Sequence, residues 1–269
     1  PATITVGAGK FESIGNPYAS AIDYSLVTKT GGVQTFVFYV WDPKLTQSGN
    51  SAYGLGGTQT FTWNGSSYDV TPGGGSYSGS NRYIESGQAF FVRAPLTAGT
   101  ISFSENCKVS GSNLVTRPAG VNTDRISIRT NLRTSINGED VLLDGNMVQL
   151  GNEYSSEVDN YDAEKLMNGG ESISITRDSV NLSVESRKLT QLTDTIPLAL
   201  SRVRARNYSL EIIPANITRN GMAMVLEDTY LGSRTVLNSA DSNVYHFEIS
   251  TDPLSYKMDR FRIILLRSN

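Results

Sequence analysis

The chain has 269 residues, of which 38% are hydrophobic and 18% are charged, and 23 basic against 26 acidic residues leave a net charge of −3. This mixed charge excludes the basic surface that nucleic-acid binding or electrostatic membrane attachment requires. No apolar run reaches the roughly 18 residues of a membrane-spanning helix. The length allows two domains with separate cores, and the low charge with 25 Gly and 13 Tyr favours an all-β extracellular protein.

The first residues alternate between apolar and polar side chains, and this pattern predicts one or two strands over residues 3–14. The stretch Ile14–Asp23 then breaks the alternation. Gly15 permits unusual backbone angles, and Pro17 fixes φ and removes a hydrogen-bond donor, so the strand should end sharply there. We interpret this stretch as a turn that shapes the backbone and not as a reactive site.

The strongest strand signal of the first half is Gln34–Asp42, whose nearly continuous apolar run predicts burial on both faces. Trp41 is therefore expected in the core. Gln59–Trp63 and Ser67–Val70 flank Asn64-Gly65, and Asn-Gly favours the turns that join hairpin strands. The sequence therefore predicts a β-hairpin at this point.

The remaining pattern predicts two tandem β-sandwich domains, of jelly-roll or immunoglobulin-like type. The first spans residues 1–112, a linker rich in Gly, Ser and Asn spans 113–120, and the second spans 121–269. One short helix is predicted over Val158–Met167, with Asp159 as its N-cap. A hairpin is predicted within Glu139–Leu150, turning at Asp144-Gly145-Asn146.

With one histidine and one cysteine, the chain has too few of these residues for most histidine- or cysteine-based catalytic and metal sites. The single histidine, His246, lies in a predicted strand, and neither His-Glu-x-x-His nor Gly-x-Ser-x-Gly occurs. The single cysteine, Cys107, cannot form an internal disulfide and is expected to be a small buried side chain. The sequence thus predicts no catalytic residues and no zinc site.

Carboxylates leave two alternatives open. A glycosidase needs two facing carboxylates, and the candidates for such a pair are Glu85, Glu105, Asp140, Asp144 and Glu227. Calcium is the most credible ion because carboxylate oxygens cluster in the second half, at Glu139, Asp140, Asp144, Glu153, Asp159 and Asp162. None of these matches a known calcium loop, so a solvated acidic surface is favoured and calcium is only an alternative.

Aromatic side chains are the candidates for ligand contact. Trp63 beside the Asn64-Gly65 turn, Tyr77 in a glycine-rich loop and Tyr53 in a Gly- and Ser-rich loop could each present a ring to a sugar. A purely structural role for these rings is the competing interpretation.

Several segments resemble a module of large secreted surface proteins of Bacteroidetes-type bacteria. In the first half these are Ile14–Asp23, Phe38-Tyr-Val-Trp-Asp-Pro and Ile84-Glu-Ser-Gly-Gln-Ala-Phe-Phe. In the second half they are Tyr161-Asp-Ala-Glu-Lys-Leu and Leu226-Glu-Asp-Thr-Tyr-Leu. In such proteins the module precedes the C-terminal sorting domain of the type IX secretion system.

The resemblance implies a non-catalytic adhesin or structural module that forms the C-terminal part of a cell-surface or appendage protein. It also implies that the Asp-Ser-Val and Asp-Thr-Ile sites are O-glycosylation signals, with Ser179 and Thr195 as acceptors. The expected partners are the rest of the same polypeptide, identical copies in an oligomer or filament, and a glycan on a target surface. The alternatives are a carbohydrate-binding accessory module of a secreted hydrolase and a self-assembling filament subunit.

Overall fold

The computed structural model describes residues 3–43, 45, 56–77, 82–109, 125–188, 193–218 and 221–267. The protein is all-β, as predicted, with 57% of residues in strands and no helix of seven or more residues in this described part. None of its helices is long and apolar enough to cross a membrane. The chain divides into two compact units: unit 1 is Pro1–Asp42 with Thr58–Gly120, and unit 2 is Pro43–Gly57 with Val121–Asn269. The predicted linker 113–120 lies outside the described residues.

The described part of unit 1 contains ten short strands and two single-turn 3₁₀ helices, Tyr24–Leu26 and Glu105–Cys107. The strands are β1 Thr3–Val6, β2 Lys10–Gly15, β3 Ile22–Asp23, β4 Thr28–Gly31, β5 Val37–Asp42, β6 Gly57–Trp63, β7 Tyr68–Thr71, β8 Tyr83–Ile84, β9 Ala89–Ala94 and β10 Gly99–Ser102. They form sheets in the orders β1-β10-β4, β2-β9-β5-β6-β7 and β3-β8. The predicted end of a strand at Gly15 and the hairpin at Asn64-Gly65 are confirmed.

Aromatic rings fill the core of unit 1. Phe38 stacks on Phe61 with ring centroids 4.5 Å apart, and Tyr24 lies 4.4 Å from Phe38. Cys107 is buried in the same core, as predicted. The prediction for Trp41 was wrong, because its side chain is 41% exposed. Alternation along β5 turns Phe38 and Val40 into the core and leaves Trp41 on the opposite face.

The described part of unit 2 contains eleven strands and includes the 3₁₀ helix Pro253–Tyr256. The strands are β11 Ile126–Ile136, β12 Glu139–Leu150, β13 Ala163–Glu164, β14 Ser172–Arg177, β15 Val180–Arg187, β16 Thr193–Ser201, β17 Arg206–Ala215, β18 Met222–Asp228, β19 Ser233–Leu237, β20 Asn243–Ile249 and β21 Phe261–Arg267. One nearly closed, barrel-like sheet has the order β19-β18-β21-β16-β14-β15-β12-β11-β17-β20, and β13 pairs with β15. β12 and β15 run parallel over Met147–Leu150.

The hairpin predicted at Asp144-Gly145-Asn146 was wrong. These residues lie inside the continuous strand β12, and the chain turns instead at Asn137-Gly138, where φ is 54° and 86°. Positive φ at both positions is the requirement of a type I′ turn, which Asn-Gly meets best. Asp144 cannot take part in a surface turn because it is fully buried.

The short helix predicted over Val158–Met167 was also wrong, since this segment consists of turns and the two-residue strand β13. Aspartate side chains hold the turns: Asp159 accepts from the Tyr161 amide at 2.8 Å, and Asp162 accepts from the Asp159 amide at 2.7 Å. Such bonds offer the backbone an alternative to a helix. The aspartate predicted to cap a helix therefore stabilises a competing turn.

Candidate functional site

The two described aromatic candidates of unit 1 are partly buried and lie at the edge of its core. Trp63 packs edge to face on Tyr68 with centroids 5.2 Å apart, and Tyr77 packs in the same way on Phe61 at 5.7 Å. The Tyr77 hydroxyl accepts a hydrogen bond from Gln88 at 2.5 Å. Both rings therefore have structural contacts, and each retains a partly exposed surface.

Tyr53, the third aromatic candidate, lies outside the described residues. Trp41, which the sequence placed in the core, is the aromatic side chain of β5 that faces solvent. An exposed indole can stack on the face of a sugar ring. Trp41 is thus a further aromatic candidate for ligand contact in the described part of unit 1.

The stretch Ile14–Asp23 is held by one buried amide. The Asn16 Nδ2 donates to the carbonyls of Ser20, Ile84 and Glu85 at 2.9, 3.0 and 3.1 Å. Its Oδ1 accepts from the Tyr18 amide at 3.0 Å. Asn16 therefore joins this turn to the turn after β8, which agrees with a backbone-shaping role.

A second amide holds the glycine-rich loop that carries Tyr77. The fully buried Gln59 side chain on β6 donates through Nε2 to the carbonyls of Pro72, Gly74 and Tyr77, at 2.9, 2.7 and 3.2 Å. This side chain positions the described part of the glycine-rich loop.

In unit 2, one buried ion pair occupies a gap between strands. β15 pairs with β14 up to Leu182 and joins β12 from Val184 onward. In the gap, the Lys165 Nζ donates to Asp144 Oδ1 at 2.6 Å and to the Gly145 carbonyl at 3.0 Å. We call Asp144 and Lys165 the gap pair.

The gap pair is shielded from water, with side-chain exposures of 0% for Asp144 and 2% for Lys165. Asp144 Oδ2 also accepts from the Ile173 amide of β14 at 2.9 Å. Burial raises the pKa of the Asp144 carboxyl, although the Lys165 ammonium opposes that shift. The two side chains supply hydrogen bonds that a neighbouring strand would otherwise make with the backbone.

A second buried pair joins the two ends of the barrel-like sheet, and we call Asp228 and Arg260 the closure pair. Arg260 Nε and Nη2 donate to Asp228 at 3.0 and 2.8 Å, which is a bidentate geometry. Arg260 Nη1 donates to the Glu248 carbonyl on the edge strand β20 at 2.9 Å, and the Tyr245 hydroxyl of β20 lies 3.1 Å from Asp228. These contacts tie β20 to the segment before β21 and to the end of β18.

Three further buried carboxylates of unit 2 also hold strands or turns. Glu171 lies 2.5 Å from Arg206, and Glu185 lies 2.6 Å from Arg177. Asp162 accepts from the Ser186 amide at 2.8 Å. Burial is the largest cause that raises the pKa of Asp162 to about 6; hydrogen bonds from the Asp159 and Ser186 amides oppose the shift, and the nearby charges of Asp159 and Glu185 support it.

Besides Asp144, three of the carboxylates proposed for calcium or for a glycosidase pair lie beside cations. Asp140 pairs with Arg133 at 2.6 Å, Glu105 pairs with Lys108 at 2.6 Å, and Glu227 pairs with Arg234 at 2.9 Å. Within the described ranges, no group of three or more His, Cys, Asp or Glu side chains is placed to hold a metal ion. The structure does not bring the predicted calcium residues together.

Nearly the whole chain matches one known protein family. Residues 2–265 match a family model described as Domain of unknown function (DUF8693). The chain belongs to this family. No curated protein and no solved structure matches it.

The two candidate O-glycosylation residues of this DUF8693 chain differ in accessibility. Ser179 is exposed in the two-residue turn between β14 and β15, where Asp178 and Ser179 have φ of 49° and 66°. Thr195 is half-buried within β16, and its carbonyl accepts from Arg187 at 3.2 Å. A modifying enzyme would reach Ser179 more easily than Thr195.

Sequence reasoning missed the amides and ion pairs that organise this DUF8693 chain. Asn16 was not singled out within the stretch Ile14–Asp23, and Asp144 was assigned to a turn. No local signal marks the gap pair, because Lys165 follows Ala163 at strand spacing but its charge predicts exposure.

Proposed function

We propose that this chain is a non-catalytic structural or adhesive module of an extracellular surface protein, built as two tandem β-sandwich domains. The observation that carries the proposal is the use of buried charge in unit 2. The gap pair lies where β15 changes its partner from β14 to β12, and Arg260 of the closure pair donates to the Glu248 carbonyl of the edge strand β20. Buried charges held in this way serve the scaffold, because breaking such a pair is costly.

The sequence supports the extracellular part of the proposal. The segments that resemble secreted Bacteroidetes-type surface modules run through both units in order, and the single cysteine and low charge are compatible with that setting. We accordingly propose a C-terminal position in a larger secreted polypeptide, at the cell surface or in an appendage, with identical copies or a surface glycan as partners. Surface proteolysis of intact source cells tests the location: the chain should be cleaved while cytoplasmic markers survive.

A mechanical role is tested by pulling on single molecules in which the chain is flanked by handle domains of known unfolding force. Arg260→Met should lower the force at which unit 2 unfolds, because it removes the closure pair that joins β20 to β21 and β18. Lys257→Met is the matched control, since the Lys257–Asp259 pair nearby is exposed. Equal unfolding forces in all three proteins would contradict a mechanical role.

A second candidate function, carbohydrate binding as an accessory module, is favoured by the exposure of Trp41. A glycan array should give hits that are lost in Trp41→Ala, and also in Trp63→Ala if the candidate at the hairpin contributes. Tyr256→Ala is a suitable control because Tyr256 is a similarly exposed aromatic residue of unit 2, with 44% exposure. A complete lack of hits, or hits that all variants retain, would remove these residues from consideration.

A further inference from the structure

We propose that the gap pair closes into a covalent cross-link, an isopeptide bond between the Lys165 Nζ and the Asp144 Cγ. The Nζ lies 2.6 Å from Asp144 Oδ1, so the amine is already in contact with the carboxyl group. Both side chains are almost completely buried, and the Gly145 carbonyl holds the amine in this position. A fixed amine beside a carboxyl carbon is the arrangement that an intramolecular condensation requires.

The reaction needs both groups in their neutral forms. A lysine amine attacks only when it is neutral, and a carboxyl group is an electrophile only when it is protonated. Transfer of one proton from Nζ to Oδ1 along their hydrogen bond converts the ion pair into this neutral pair, and exclusion of water lowers the cost of losing both charges. The raised pKa of Asp144 acts in the same direction.

The step balances without any further reactant. The Nζ lone pair forms a bond to Cγ, a proton passes from Nζ to the Oδ1 hydroxyl, the Cγ–Oδ1 bond breaks, and one water leaves. The Ile173 amide donates to Oδ2 at 2.9 Å. This donor stabilises the negative charge that Oδ2 acquires when the amine adds, in the manner of an oxyanion hole.

The closure pair shows why the reaction is specific to the gap pair. Asp228 and Arg260 are almost as buried as the gap pair and nearly as close, at 2.8 Å. A guanidinium, however, delocalises its charge over three nitrogens and lacks the free lone pair that the attack needs. The structure therefore contains both a reactive pair and an unreactive internal control.

The cross-link would limit how far unit 2 extends under force, and this part of the inference rests on the proposed mechanical function. Asp144 and Lys165 are 21 positions apart, so the bond would prevent about 70 Å of chain from extending under force. Pulling experiments would show a correspondingly shorter extension for unit 2.

The test is the intact mass of the complete chain, purified folded, incubated and then denatured. The wild type should weigh less than its sequence by one water, and digestion should yield a branched peptide joining Asp144 to Lys165. Asp144→Asn should react with loss of ammonia instead and give the same final mass as the wild type. Lys165→Arg should have its full sequence mass, whereas Lys29→Arg, a control at a half-buried lysine of unit 1, should keep the deficit of one water.

A full sequence mass for the folded wild type after prolonged incubation would overturn the proposal, as would a deficit that persists in Lys165→Arg. The measurement does not depend on the fold of the variants, because a failure of Lys165→Arg to fold still leaves the wild-type mass and the branched peptide as evidence. It is also independent of the proposed function. A chain with the cross-link and no mechanical resistance refutes only the function, and a resistant chain of full mass refutes only the cross-link.

Discussion

Units 1 and 2 satisfy buried polar groups in different ways. In unit 1, the neutral amides of Asn16 and Gln59 donate to the carbonyls of turns and loops. In unit 2, the gap pair and the closure pair use full charges to connect strands. A neutral amide can hold irregular backbone without burying a charge. A buried ion pair does bury charges, so the stability of the fold then depends on both partners and on pH. The two units should therefore respond differently to substitution and to acid.

The largest effect is expected from Arg260→Met. Removing one partner leaves the Asp228 charge buried, so the free energy of unfolding of unit 2 should fall by about 3 to 5 kcal/mol. Both tryptophans, Trp41 and Trp63, lie in unit 1. Chemical denaturation followed by far-UV circular dichroism should show the loss, and tryptophan fluorescence should show an unchanged transition.

The double variant Arg260→Met/Asp228→Leu sharpens this comparison, because it removes the charge together with its partner. It should regain most of the lost stability. In Arg260→Met, the unfolding transition seen by tryptophan fluorescence could shift as far as the transition seen by circular dichroism. That result would show that the two units do not respond separately.

In unit 1, Asn16→Asp should lower the free energy of unfolding by about 2 to 4 kcal/mol at neutral pH, since three carbonyls lose their donor and face a carboxylate. Protonation in acid restores one donor, so part of the loss should be recovered at low pH. Tryptophan fluorescence during denaturation measures both effects. Thr30→Ala is the control, because its hydroxyl bond to Thr100 is exposed; an equal loss there would contradict the amide's role.

A third prediction concerns the pH dependence of unit 2. The pKa of Asp162 is raised from 3.8 to about 6 in the folded chain. Because the folded state binds this proton more tightly than the unfolded state, the contribution to stability is complete below about pH 4 and is lost as pH rises through 6. The expected decrease in the free energy of unfolding is about 2 to 3 kcal/mol.

Denaturation of unit 2 at a series of pH values, followed by circular dichroism, measures this slope. Asp162→Asn should flatten the curve between pH 4 and 6, although its overall stability will be lower because one amide acceptor is lost. A curve of unchanged slope in Asp162→Asn would assign the dependence to another group.

The smallest effect is expected at the turn that carries Ser179. Its φ of 66° favours glycine, so Ser179→Gly should stabilise unit 2 by about 0.5 to 1 kcal/mol. Ser135→Gly in the extended strand β11 should destabilise it by a similar amount. If the change to glycine shifted the free energy of unfolding in the same direction at both sites, the explanation from the φ angle of Ser179 would be wrong. If Ser179 is glycosylated in the source cells, Ser179→Gly will also remove the glycan, which intact mass detects.

The all-β class, the hairpin of unit 1 and most strands could be predicted from the sequence because alternation and Asn-Gly turns are local signals. Strand β16 was missed because Pro197 argues against a central strand. The structure resolves this conflict: β16 pairs with β14 only from Leu198 onward, so no partner on that side requires an amide proton at Pro197. The ion pairs could not be predicted, since they join residues about 20 to 30 positions apart whose meeting depends on the whole sheet.

The place of β21 in the sheet has a consequence for biosynthesis. This last strand lies between β16 and β18, and it pairs with both. While the chain is synthesised from its N-terminus, or while it passes through a secretion channel, β16 and β18 each keep an unpaired edge until residues 261–267 arrive. Long-range pairing of this kind is slow and exposes aggregation-prone edges. If the chain is secreted as proposed, unit 2 should stay export-competent, and in need of a chaperone, until this strand is delivered.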